Sequence, residues 1–155
     1  MAREAKVLTV STTASAGDRE DLSGAAVAEC LARLGFAVVG RRVVPDGIAP
    51  VSGAIRELCS GFAGVVATTG GTGFSPSDLT PEATLAVLER EARGLPEAMR
   101  RASPLGPLSR GVAGTVGACL VVNLPGSPRG AVESLEAVSG VLGHALELLS
   151  GGRPH

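Results

Sequence analysis

Apolar residues in this chain follow two alternating patterns, and their alternation predicts the architecture. Lys6-Val7-Leu8-Thr9-Val10 is an apolar run of strand length, as are residues 36–44 and Gly64-Val65-Val66-Ala67 with the threonines that follow. Between these runs the spacing becomes helical. Val27, Leu31 and Leu34 stand at i, i+4 and i+7 within residues 25–34, and Gly35 is placed to end that helix. Val51, Ile55, Leu58 and Phe62 define a second helix. A third is predicted from Thr80 to Arg90 and a short fourth over residues 96–102. Residues 112–116 and 118–123 read as two strands meeting at Gly117, a hairpin. Ser127-Pro128 then caps a helical stretch through Leu149, with Gly140 a candidate break.

Strands alternating with helices predict an α/β fold in three layers. The sheet is expected to be mostly parallel, with helices on both faces and an antiparallel hairpin near the C-terminal part. No linker or internal repeat stands out, so residues 1–155 are expected to form a single domain with a frayed tail over 151–155. In such folds ligands bind beyond the carboxyl ends of the strands. Loops 11–23, 45–50 and 70–80 leave those ends carrying polar side chains, and loop 125–128 is expected to join them.

Composition narrows the function classes. The net charge of −1 offers no broad field for nucleic acid, and three phenylalanines without Tyr or Trp leave almost no stacking platform. No apolar run reaches the ~18 residues of a membrane helix and no signal-peptide pattern opens the chain, so neither nucleic acid nor membrane is an expected partner and the expected location is cytoplasmic. Cys30, Cys59 and Cys119 are widely spaced without a Cys-x-x-Cys pair and read as buried thiols. His144 and His155 cannot make a zinc site by themselves.

The most informative chemistry lies after the third apolar run, in Thr68-Thr69-Gly70-Gly71-Thr72-Gly73-Phe74-Ser75-Pro76-Ser77-Asp78-Leu79-Thr80-Pro81-Glu82-Ala83-Thr84. Gly70, Gly71 and Gly73, with Thr72, would let backbone N–H groups approach an anion without an intervening Cβ. Asp78 would sit beside that anion, able to hold a divalent cation against a phosphate. Thr80 and Pro81 are expected as N-cap and first helical residue. A Walker loop is excluded, since the chain's one lysine is Lys6 among fourteen basic residues. The dinucleotide fingerprint also fails, because Phe74-Ser75-Pro76 follows Gly71-Thr72-Gly73.

This string resembles the signature of the MogA/MoaB-type molybdenum-cofactor biosynthesis proteins, a domain also present in Cnx1 and gephyrin. Asn123-Leu124-Pro125-Gly126-Ser127-Pro128 resembles a second family element, and residues 97–114, with Met99-Arg100, Ser103 and Leu108-Ser109-Arg110-Gly111, a third. The resemblance implies a molybdopterin-binding fold and MgATP-dependent adenylylation of molybdopterin with release of pyrophosphate. It also implies a homotrimer and a molybdate-inserting protein as downstream partner. Asp46 and Asp78 are the implied catalytic, Mg²⁺-holding carboxylates. Gly70, Gly71, Thr72, Gly73, Ser103, Ser109, Asn123, Ser127, Asp21 and Ser23 are the implied substrate-binding residues.

Other readings of these residues stay open at this level. Asp46 in Pro45-Asp46-Gly47 also suits a turn, Ser127 a helix cap, and Asp21-Leu22-Ser23-Gly24 a solvated helix start. Arg100, Arg110 and Arg129 could neutralise phosphates or form ion pairs, and Phe74 could shield the ligand or pack on a neighbour. The apolar set Val141, Leu142, Ala145, Leu146, Leu148 and Leu149 suits either a subunit contact or a helix sunk in its own core. One element departs from the family. Ser11-Thr12-Thr13 stands where Ser, then Asp or Asn, then Arg is common, which leaves this loop's hold on substrate open. That departure favours a non-catalytic molybdopterin carrier, whereas the retained Asp46 and Asp78 favour the enzyme.

Overall fold

A computed structural model describes residues 3–152, so His155 and the end of the expected tail lie outside the described residues. The chain runs β1 (Arg3–Val10), α1 (Thr12–Ser15), α2 (Leu22–Arg33), β2 (Phe36–Val44), α3 (Ile48–Cys59), β3 (Gly64–Thr69), α4 (Thr80–Leu85), β4 (Arg90–Glu91), α5 (Gly94–Arg100), a 3₁₀ turn (Gly106–Leu108), β5 (Ala113–Val116), β6 (Cys119–Leu124) and α6 (Pro128–Leu149). The strands form one sheet in the order β2-β1-β3-β6-β5-β4. β1 pairs in parallel with β2 and β3, and β3 with β6, while β5 runs antiparallel to β6 and β4 to β5. This is the expected α/β fold with its antiparallel hairpin.

Period-two alternation sorts the central side chains onto two faces. Ala5, Val7, Val65, Ala67, Leu120 and Val122 meet α2, α5 and α6 through Val27, Leu31, Met99, Leu135 and Leu142. Leu8, Val10, Val66 and Val121 meet α3 and α4 on the other side through Val51, Ile55, Leu58 and Ala83. Every residue of β3 and β6 is buried, as expected for strands covered on both faces. The sheet order places a topological switch between β1 and β3. The chain leaves β1 toward β2 by way of α2 on one face and returns to β3 by way of α3 on the other. A crevice at that switch point is where an open α/β sheet takes its ligand.

Several local expectations are corrected. The helix expected to reach Arg90 ends at Leu85, because Glu89 N–H donates to the Thr115 carbonyl (2.8 Å) and Ala92 N–H to Ala113 (2.8 Å). These ladder bonds replace helical ones and make residues 90–91 an edge strand. The second helix begins at Ile48 and ends at Cys59, leaving Phe62 beyond it with its ring 4.1 Å from the Lys6 ammonium. No break occurs at Gly140. α6 is continuous there, flanked by buried Val138 and Leu142, and their packing offsets the roughly 1 kcal/mol that glycine costs a helix. The short α1 was not anticipated. Cys30, Cys59 and Cys119 are all buried and free, and among the described residues no helix is long and apolar enough to cross a membrane.

Candidate active site

The loop after β3 is built against β1 and α4. Gly70 and Gly71 adopt φ of +103° and +69°, a region that L side chains avoid. A Cβ on Gly70 would strike the Val10 carbonyl, and one on Gly71 the Thr80 hydroxyl. The loop therefore crosses the mouth of the β1/β3 crevice as closely as backbone permits. Thr80 is not the helix N-cap that was expected. Leu79 holds that position without a side-chain cap, and the Thr80 hydroxyl donates instead to the Gly70 carbonyl (2.9 Å) while its N–H donates to Gly71 (3.0 Å). Asp78 Oδ2 accepts from the Ser75 N–H (2.9 Å), and the Asp78 N–H donates back to the Ser75 carbonyl (2.9 Å).

Asp46 is anchored from the unfamiliar loop after β1. The Thr12 hydroxyl donates to Asp46 Oδ2 at 2.8 Å and its N–H reaches the same oxygen at 3.2 Å, while the Asp46 N–H donates back to the hydroxyl at 3.1 Å. Each of the two aspartates thus has one carboxylate oxygen, Oδ2, held by the protein. Oδ1 accepts no hydrogen bond from the described residues in either case. Asp21 is more fully engaged. It caps α2 through Gly24 N–H (2.9 Å), accepts from the Thr9 hydroxyl (2.9 Å) and pairs with Arg41 (3.1 Å).

Two cavities open beside this loop. The larger, about 680 Å³, is lined by Thr72, Gly73, Ser103, Ser109, Asn123 and Ser127, with Met99, Leu105 and Leu108 supplying apolar wall. The smaller, about 260 Å³, is lined by Ser11, Asp21, Ser23, Asp46 and Gly70. Gly71, Asp78 and Gly126 line both, so the cavities meet at Asp78. All twelve residues named from the sequence as catalytic or substrate-binding fall on one or both cavities, although they come from five separate segments of chain, 21–23, 46, 70–78, 103–109 and 123–127. Loops 11–23, 45–50, 70–80 and 125–128 do converge as expected.

The structure assigns particular bonds to several of these residues. Asn123 is 3% exposed and both donors of its amide are taken by protein: Nδ2 donates to the hydroxyls of Thr68 and Thr84 (3.0 Å each), while Oδ1 accepts from Val112 N–H (3.1 Å). It shapes the cavity floor. Ser127 caps α6 by accepting from Gly130 N–H (3.0 Å). Arg100 donates to the Gly111 carbonyl (3.0 Å), and exposed Arg129 pairs with Glu133 (2.9 Å). Arg110 lines neither cavity and forms an ion pair with Glu82 at 2.7 Å. The Arg110 hydrogen bond holds the Glu82 carboxyl below its ordinary value of 4.5, and Glu82 in turn raises the guanidinium. Phe74 is 70% exposed and also lines neither cavity. The roles of Thr12, Thr9, Thr84 and Glu82 were missed, since nothing in their own neighbourhoods names partners so distant in sequence.

Comparison with known proteins extends the geometric picture. A family model described as "Probable molybdopterin binding domain" matches residues 6–144. A molybdopterin adenylyltransferase of Helicobacter pylori is 37% identical over 152 residues, covering 94% of this chain and 86% of that protein. Among solved structures, the molybdopterin biosynthesis enzyme MoaB of Thermus thermophilus is 46% identical with a TM-score of 0.89, covering 97% of this chain and 98% of its own. The molybdopterin biosynthesis Mog protein of Mycobacterium ulcerans is 42% identical with a TM-score of 0.88, covering 96% and 99%. Matched from the first strand into the last helix, this chain belongs to the molybdopterin-binding domain family of the MogA and MoaB type.

Proposed function

We propose that this chain is a molybdopterin adenylyltransferase of molybdenum-cofactor biosynthesis, with ATP and molybdopterin as its two substrates. The observation that carries the reading is the pair of cavities meeting at Asp78. A group-transfer enzyme needs two substrates end to end, whereas a carrier needs one chamber. In the reaction a phosphate oxygen of molybdopterin forms a bond to the α-phosphorus of ATP, the α–β bridging P–O bond breaks, and pyrophosphate leaves. A phosphate monoester has a second pKa near ~6, so the nucleophile is already largely ionised at neutral pH. No general base is required, in keeping with a junction lined by Gly71, Gly126 and the Asp78 carboxylate.

The difficulty is the approach of two anions. Asp46 and Asp78 both face the smaller cavity with Oδ1 unengaged by the described residues, a donor set that suits Mg²⁺ completed by phosphate oxygens and water. Bound there, Mg²⁺ would offset phosphate charge. Among the described residues no cluster of three acidic, thiol or imidazole ligands exists, so an all-protein metal cage does not support this reading. Gly70, Gly71, Thr72 and Gly73 present backbone to the phosphates, and Ser103, Ser109 and Ser127 offer hydroxyls to the ligand in the larger cavity. Asn123 holds the floor beneath it. Asp21 and Ser23 wall the smaller cavity, with Asp21 acting through α2 and Arg41 rather than as a free acceptor.

The whole chain, 1–155, acts in this reading as one domain, located in the cytoplasm and assembled as a homotrimer. The apolar side chains Val141 and Leu148, half-exposed on α6, support assembly. A molybdate-inserting protein would receive the adenylylated product. Release of pyrophosphate from MgATP that depends on added molybdopterin tests the function, and its absence with both substrates saturating would reject it.

A further inference from the structure

Arg110 contacts the ligand loop at several points without facing either cavity. Its backbone N–H donates to the Thr72 carbonyl (2.8 Å), Nε to the Gly73 carbonyl (2.8 Å) and Nη2 to the Asp78 carbonyl (2.6 Å). Nη1 and Nη2 also donate to Glu82 Oε2 and Oε1 at 2.7 and 3.3 Å. Of a guanidinium's five N–H donors, four are thereby committed to protein. Little is left for a phosphate. The two loop carbonyls it grips bracket residues 73–78, and Gly73 and Asp78 are the members that line the cavities.

We infer that Arg110, seated by Glu82, is a positioning residue for Asp78, fixing the loop so that the carboxylate stands at the junction of the two cavities. The inference rests on the adenylyltransferase reading for its kinetic consequence, though not for its geometry. Among the described residues the other ties within 73–78 are local, the Ser75–Asp78 pair of bonds and the contact between the Ser75 and Ser77 hydroxyls (3.2 Å), and these close the turn without fixing it to the sheet. Arg110 supplies that connection, because it leads directly into β5 and its N–H and side chain reach opposite ends of the turn. Global stability does not explain the arrangement. Arg110 and Glu82 side chains are 34% and 41% exposed, and pairs so accessible contribute little to folding. The planar fork is also essential to the geometry, since an ammonium cannot reach two carbonyls and a carboxylate in one plane.

The test compares the full chain with Arg110→Ala, Arg110→Lys and Asp78→Asn, in steady-state kinetics and in amide hydrogen exchange without ligand. Arg110→Ala is expected to lower kcat by about 10²-fold, the scale of a 1 Å misplacement, with KM for molybdopterin within about threefold. Arg110→Lys is expected to resemble Arg110→Ala. Added guanidinium should restore part of kcat to Arg110→Ala and none to Asp78→Asn. Amides of residues 75 and 78 should exchange faster in Arg110→Ala and slow again with guanidinium. Full activity in Arg110→Lys would overturn the inference, because charge alone would then suffice, as would wild-type kcat in Arg110→Ala. If the wild-type chain transfers no adenylyl group, the functional reading fails by itself. Unchanged exchange at residues 75 and 78 would then still reject the clamp, and faster exchange would support it.

Discussion

Replacing Asn123 with alanine should cost the fold more than it costs ligand contact. The side chain links three segments, with Oδ1 on Val112 N–H and Nδ2 on Thr68 and Thr84. Among the described residues no buried side-chain polar atom lacks a partner, so the site has no slack to absorb the loss. Truncation strands the half-buried Val112 N–H and removes the donors from the buried Thr68 and Thr84 hydroxyls, together about 1–3 kcal/mol. The void left by the amide adds on the order of 1 kcal/mol. Together these give roughly 2–4 kcal/mol, a fall in melting temperature of roughly 5–15 °C for a domain of this size. Thermal unfolding with and without molybdopterin measures it. A melting temperature within about 2 °C of wild type, with ligand binding lost, would refute the hub and return Asn123 to the ligand.

Other consequences are equally direct. Thr12→Val removes the hydroxyl that donates to Asp46 and accepts from its N–H, so kcat/KM for MgATP should fall roughly tenfold, the low end for a bond to a charged group, with little change in melting temperature; unchanged kinetics would detach Thr12 from the site. Glu82 has its folded pKa lowered by Arg110, so its contribution to stability is present above about pH 4.5 and lost as pH falls through the lower folded value. The melting-temperature difference between wild type and Glu82→Gln should accordingly be flat above pH 5 and shrink below pH 4.5; a difference that grows on acidification would contradict the sign. Light scattering should give three times the 15.4 kDa of one chain, and Val141→Glu with Leu148→Glu should lower it; a mass of one chain for the wild type would reject the trimer.

What the sequence made legible was what lies close together along the chain. The 68–84 string carries a strand end, a glycine turn, a carboxylate and a helix start in order, so local chemistry alone placed a ligand there. The α/β class followed from runs such as 64–69, too apolar for a surface strand. Partnerships across long separations were not legible. Asn123 meets Thr68 and Thr84 across 55 and 39 residues, and no spacing rule reports that its amide is already spent. Arg110 looked like an ion-pair or phosphate arginine, and it does form an ion pair. Its grip on Gly73 and Asp78 depends on how β5 enters the sheet. β4 was invisible because two residues show no periodicity, and Thr80 was misplaced because a threonine beside proline suits a cap by local rules alone. The altered Ser11–Ser15 segment shows the opposite case. Read as leaving the loop's hold on substrate open, it proves to supply the hydroxyl that anchors Asp46.

The central claim is that Asp78, where the two cavities meet, serves the transfer step itself. Measuring molybdopterin-dependent pyrophosphate release by Asp78→Asn, alongside molybdopterin binding by the same protein, tests it most directly. Transfer should fall by several kcal/mol of transition-state stabilisation, about 10²-fold or more, because one of the two carboxylates that would hold the charge-offsetting Mg²⁺ is gone. Binding should persist, because the Gly70–Gly73 backbone and the larger cavity are untouched. Turnover near the wild-type rate would contradict the account.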